Sequence, residues 1–77
     1  MTVKDMSVGQ TGTITKVLGE GALRRRLLDM GLTPKTKVFV RRKAPLGDPI
    51  EIYLRGYELT IREHDANNLI IELEEEK

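Results

Sequence analysis

The sequence predicts a small, mainly β domain, a five-stranded barrel with one inserted amphipathic helix and a short second helix. Five short segments are β-branched or alternate apolar with polar residues, which is the period of half-buried strands. One segment, residues 22–30, spaces its apolar residues as a helix does. Because 77 residues leave room for a single hydrophobic core, we expect one domain over residues 1–77.

A β-hairpin is predicted over residues 50–61, where apolar residues occupy alternate positions. A two-residue turn at Arg55 and Gly56 would bring the apolar residues of both strands to one face of the sheet. The predicted pairs are Leu54 with Tyr57, Ile52 with Leu59, and Ile50 with Ile61. A shift of one residue would destroy this agreement, so the register is specified.

The remaining strands are predicted at residues 11–18, 37–42 and 69–73, each bounded by Gly, Pro or Asn. The helix carries its apolar stripe on Leu23, Leu27 and Met30, and Gly31 follows where a helix-ending glycine belongs. The polar residues 62–68 are expected to form one or two helical turns. The acidic tail, residues 72–77, is expected to fray.

Composition excludes several classes of function. The chain has no cysteine and one histidine, which rules out disulfides, thiolate metal sites and two-histidine zinc sites. No apolar run is long enough to span a bilayer and no signal peptide begins the chain, so we expect a cytoplasmic protein. No nucleophile motif accompanies His64, and we expect no enzyme activity.

Charge is distributed unevenly along the chain. Residues 1–44 carry ten Lys/Arg against three Asp/Glu, net +7, and residues 45–77 carry three against nine, net −6. Whether this gives a basic face depends on how the strands interleave.

Glycines at positions 19 and 21 precede the helix without completing a phosphate-binding motif, which favours a turn and cap.

The helix carries three consecutive arginines, Arg24, Arg25 and Arg26, which are expected to fan across its outer face. They suit phosphates, an acidic protein surface or an arginine finger given to a GTPase, and they could equally form a solvated face. Nucleic acid is not expected, since only three aromatic residues could stack on bases.

Residues 44–49 form the least generic stretch of the sequence. Pro45 and Pro49 restrict the backbone while Gly47 permits a turn, so the segment is predicted to be a rigid loop with Leu46 exposed. Such a loop suits protein recognition. The predicted partner-binding residues of this region and the helix are Arg24, Arg25, Arg26, Lys43, Pro45, Leu46 and Asp48.

Glu63, His64 and Asp65 place an imidazole beside two carboxylates, which could give a weak site for Fe(II), Mn(II) or Zn(II). Neighbouring helical residues point about 100° apart, so three consecutive side chains do not converge easily on one ion. A solvated surface helix is the alternative interpretation. No other cofactor is expected.

Several segments in fixed order make the chain resemble the FeoA family of ferrous-iron transport accessory proteins. The similarity runs from about residue 8 to residue 72. It is carried by residues 12–14, 26–32 with Pro34, 44–50, 56–62 and 66–70. Two positions depart from the family pattern: Lys35 replaces a glycine after the proline, and Val8 replaces a proline before Gly9.

The resemblance implies a Src-homology-3-like barrel, a fold also found as the C-terminal domain of iron-dependent repressors. It implies a partner, the cytoplasmic GTPase-bearing part of the Fe(II) permease FeoB, through which the protein would approach the membrane. Direct metal-dependent regulation and activation of the FeoB GTPase are the alternatives. Exposed edge strands leave self-association open.

Overall fold

The computed structural model describes residues 1–74. It confirms the fold class predicted from the sequence, mainly β with two short helices. The strands are β1 (Thr11–Val17), β2 (Lys37–Lys43), β3 (Ile50–Leu54), β4 (Tyr57–Ile61) and β5 (Leu69–Leu73). The helices are α1 (Gly21–Asp29) and α2 (Glu63–Ala66), and a 3₁₀ turn (Val3–Asp5) precedes them.

All five strands form one antiparallel sheet in the order β4-β3-β2-β1-β5. The predicted hairpin register is confirmed, because Ile52 lies opposite Leu59 and both flanking pairs match. Arg55 (φ 47°) and Gly56 (φ 86°) are both left-handed, as the turn that suits the twist of a two-residue hairpin requires. Local turn chemistry and alternation therefore set this part of the sheet.

Irregularities in two strands bend the sheet around one core. The pairing shifts between Ile14 and Lys16 in β1 and between Val40 and Arg42 in β2, and such bulges increase local bending and twist. The 3₁₀ turn, which the sequence did not predict, places Val3 at the core beside the fully buried Met6. The other buried apolar residues are Ile14, Val17, Leu27, Leu32, Val38, Val40, Ile50, Ile52, Leu54, Ile61, Ala66, Leu69 and Ile71.

Helix α1 begins one residue earlier than predicted and ends at a glycine as expected. The Gly31 N–H donates to the Leu28 carbonyl (3.0 Å) and the Leu32 N–H to the Leu27 carbonyl (3.1 Å), which is the Schellman pattern. Gly31 takes φ 92°, which favours glycine. Since Leu27 and Leu32 are both fully buried, this end of the helix is fixed to the core.

The acidic tail is ordered further than predicted. Glu72 and Leu73 belong to β5, and the Glu74 N–H donates to the Thr11 carbonyl (2.9 Å). The expectation of fraying from residue 72 was wrong, because Leu73 pairs with Gly12 and packs against the core. The rest of the predicted tail, residues 75–77, lies outside the described residues.

Candidate partner-docking surface

The loop between β2 and β3 presents one apolar side chain on a fixed backbone. The Gly47 N–H donates to the Ala44 carbonyl (2.7 Å), and the Ala44 N–H donates to the Pro49 carbonyl (3.0 Å). Leu46, at the tip of this turn, exposes 93% of its surface, as predicted. Pro45 beside it is also exposed. The loop thus holds an apolar contact in place before any partner arrives.

Two residues predicted to bind a partner also attach this loop to the domain. The Asp48 carboxylate accepts a hydrogen bond from the Glu63 N–H (3.0 Å), at the first turn of α2. The Lys43 ammonium donates to the Lys4 carbonyl (3.0 Å) and is half-buried. Both contacts hold the loop in place, and neither could be found by local pattern since the partners are 15 and 39 residues away.

The arginines of α1 divide into three different environments. Arg26 donates to the Asp65 carboxylate (2.6 Å), so its guanidinium points to α2 rather than fanning outward as predicted. The Nε of Arg24 donates to the Val17 carbonyl (3.3 Å). Arg25 is exposed and makes no ion pair or side-chain hydrogen bond within residues 1–74. Of the three, Arg25 and the exposed part of Arg24 remain available to a partner.

Asp65 is the most buried charged residue of the described chain. Its side chain is 6% exposed, against 56% for Arg26. The second carboxylate oxygen accepts from the Arg62 N–H (3.3 Å), which completes the cap of α2. A buried carboxylate needs such partners, because burial without them disfavours its charge. The Arg26–Asp65 pair thereby joins α1 to α2.

The three residues predicted to ligate a metal do not converge. Asp65 points inward, Glu63 pairs with Lys4 (3.0 Å), and His64 is exposed. Within the described residues, no three His, Asp or Glu side chains are grouped to hold a metal ion. Consecutive positions in α2 explain the divergence, since they project in different directions.

An open cleft of about 370 Å³ brings Glu63 and His64 near Asp48, an acidic residue that was not among the predicted metal ligands. It is lined by Lys4, Asp48, Glu63, His64 and Asn67. The Lys4 ammonium, 3.0 Å from Glu63, offsets the negative charge there. A cation entering the cleft would have to compete with this ammonium for the carboxylate.

The opposite charges of the two sequence halves neutralise one another in space. Each ion pair of the described residues joins a cation of residues 1–44 to an anion of residues 45–77. They are Lys4–Glu63, Arg26–Asp65, Lys37–Glu74, Arg41–Glu58 and Arg42–Glu51. A second run of basic residues, Arg41, Arg42 and Lys43, is therefore paired with carboxylates at Arg41 and Arg42.

The curved five-stranded sheet places the chain in a class, the small β domains of Src-homology-3 type. Its two helices and the 44–49 loop present polar and apolar side chains at the surface. Neither helix within residues 1–74 is long and apolar enough to cross a bilayer. The FeoA domain family model matches residues 1–73, and the chain belongs to that family. The match begins at residue 1, earlier than the sequence resemblance suggested, and includes the 3₁₀ turn.

Three similar proteins agree with this assignment. The Fe(2+) transport protein A/Fe(2+) transporter FeoB fusion protein of Porphyromonas gingivalis is 32% identical over 73 residues, which are 95% of this chain and 9% of that protein. An FeoA-like protein from Clostridium acetobutylicum matches at 30% identity and TM-score 0.92, covering 100% of this chain and 90% of the other. The zinc complex of Stenotrophomonas maltophilia FeoA, described as a prokaryotic SH3 domain protein, shares the fold at 20% identity and TM-score 0.81, covering 94% and 89%.

Proposed function

We propose that this chain is a non-enzymatic, cytoplasmic accessory protein of ferrous iron uptake that docks on the FeoB permease and modulates it. The observation that carries the proposal is the fusion relative, in which a matching segment and an FeoB transporter share one polypeptide. Covalent linkage holds two domains at high effective concentration, an arrangement that suits domains that work together. This chain spans 9% of that relative's length, within the part that matches an FeoA segment.

Leu46 is the residue proposed to anchor the contact. Its 93% exposure on a hydrogen-bonded turn offers apolar area with little conformational entropy to lose on binding. A few side chains carry most of the binding energy of an interface, and they are those that fill well-packed, desolvated pockets of the partner. Arg24 and Arg25 on α1 would add electrostatic attraction to an acidic surface.

The test is binding of the purified chain to the cytoplasmic region of FeoB, measured by calorimetry. Leu46→Glu should leave the fold intact and weaken binding about tenfold or more, because it places an unpaired charge at an apolar contact. Val8→Glu is the matched control, since Val8 is also exposed (56%) but lies outside the loop. Equal effects of both variants, or unfolding of Leu46→Glu, would contradict the anchor role.

Substitutions of Arg24 and Arg25 distinguish modulation by docking from direct activation of the FeoB GTPase. If they act as a charged patch, Arg24→Ala and Arg25→Ala should each weaken binding modestly, and added salt should reduce both effects. If Arg25 is an arginine finger, Arg25→Lys alone should abolish GTPase stimulation, by about 10³-fold or more, at unchanged affinity. We favour the patch, because α1 is a regular helix fixed at its C-terminal end.

Direct divalent-metal binding is the second candidate, favoured by the cleft that brings Asp48 beside Glu63 and His64. The zinc-bound S. maltophilia protein shares the fold. Titration of Zn(II), Mn(II) or Fe(II) into the chain, followed by calorimetry, tests it. Saturable submillimolar binding that is lost in His64→Ala would support a regulatory metal site, whereas binding unaffected by His64→Ala would exclude His64 as a ligand.

A further inference from the structure

The two edges of the sheet differ in whether another segment of the chain covers them. At the β5 edge, the N-terminal segment supplies the Met1 carbonyl to the Ile71 N–H (2.9 Å), and Thr2 bridges to Ile70. At the other edge, β4 pairs only with β3, and no other strand or helix makes an extended contact with it within residues 1–74. An uncovered edge offers unpaired N–H and C=O groups to another strand.

The hairpin register identifies which backbone N–H and C=O groups of β4 are unpaired. A two-residue turn closes on a hydrogen-bonded pair, Leu54 with Tyr57, and hydrogen-bonded pairs then recur at every second position. The peptide groups of Tyr57, Leu59 and Ile61 therefore face β3. Those of Glu58 and Thr60 point away from the sheet, and no backbone hydrogen bond from outside the sheet reaches them in the described chain.

We propose that β4 pairs antiparallel with β4 of a second copy of this chain, about a two-fold axis through Leu59. In that register Glu58 faces Thr60 of the other copy and the reverse, so all four outward groups of each strand are paired. Leu59 is only half-buried although it lies on the core side of the sheet, and it would meet its equivalent across the axis. The result is one continuous ten-stranded sheet.

The neighbouring registers are less favourable. Centring the pair on residue 58 places two Glu58 carboxylates directly opposite each other, which is destabilising. Centring it on residue 60 brings Glu58 opposite Arg62, whose carbonyl already accepts from the Ala66 N–H (3.0 Å) and whose N–H donates to Asp65. The register through Leu59 avoids both conflicts. With only five residues in β4, the contact is smaller than stable dimers bury, so the association is weak and concentration-dependent.

Sedimentation and amide NMR of the full chain between about 20 µM and about 1 mM test the proposal. The average mass should rise toward twice the monomer mass, and concentration-dependent amide shifts should centre on Glu58 and Thr60. Thr60→Pro should abolish both changes without breaking the pairing to β3, because the removed N–H points outward. Thr60→Val retains that N–H and should still associate.

Charge provides an independent readout. In the proposed pair the two Glu58 side chains are diagonal neighbours on the outer face, and each is paired with Arg41 of its own copy (3.0 Å), so added salt should change association little. A monomeric mass at every concentration would overturn the proposal. So would association with shifts on α1 or the 44–49 loop, and shift mapping of the unaltered chain decides this even if Thr60→Pro fails to fold.

Discussion

The Arg26–Asp65 pair is the contact whose removal best separates a structural arginine from a partner-binding one. Arg26→Ala leaves the nearly buried Asp65 carboxylate with the Arg62 N–H as the only partner of its side chain among residues 1–74. Hydrogen bonds to charged groups contribute about 1.5 to 3 kcal/mol. Because the Arg26 side chain is 56% exposed, solvent screening reduces this, and we expect a loss of about 1 to 2 kcal/mol in the free energy of unfolding.

Urea unfolding followed by far-ultraviolet circular dichroism measures this loss, since the chain has no tryptophan. Arg25→Ala is the matched control on the same helix and should change stability by less than about 0.5 kcal/mol. A double-mutant cycle with Asp65→Ala should give a coupling of about 1 kcal/mol. Zero coupling, or equal effects of the two arginine variants, would refute the structural role assigned to Arg26.

Three further predictions concern stability. Ile52→Ala truncates a fully buried side chain in the middle of β3 and should cost about 2 to 4 kcal/mol, and an unchanged thermal melt would contradict the register. Lys35 has φ 75°, so Lys35→Gly should stabilise the domain by about 1 kcal/mol in urea unfolding, and a loss of stability would show that the lysine side chain matters more than backbone strain. The Thr2 N–H donates to Asp5 (2.9 Å) and lowers the Asp5 pKa from 3.8, so this contact stabilises the fold above about pH 4 and is lost as pH falls through the lowered pKa. Asp5→Asn should make the free energy of unfolding fall slightly less below about pH 4 than in the unaltered chain, and an unchanged fall would contradict a role for this contact.

Prediction from sequence succeeded where neighbours along the chain set the structure. The 50–61 hairpin follows from alternation and from a turn whose residues adopt positive φ. The end of α1 follows from Gly31, and the exposure of Leu46 follows from a loop of prolines and glycine. The substitution of Lys35 for the family's usual glycine marked the left-handed residue, since glycine is the residue that adopts this conformation without strain.

Only the tertiary structure decided which charged residues are engaged and which are free. Arg26 and Asp65 are 39 residues apart, and nothing in a run of three arginines indicates which one turns inward. Asp48, expected at a partner contact, caps α2 because the loop and that helix meet in space. The charge asymmetry between the halves of the sequence is partly offset for the same reason: the fold places cations of one half beside anions of the other. Local patterns fix elements and turns through short-range sterics and burial, whereas ion pairs between distant residues depend on topology, which brings them together only when the sheet has formed.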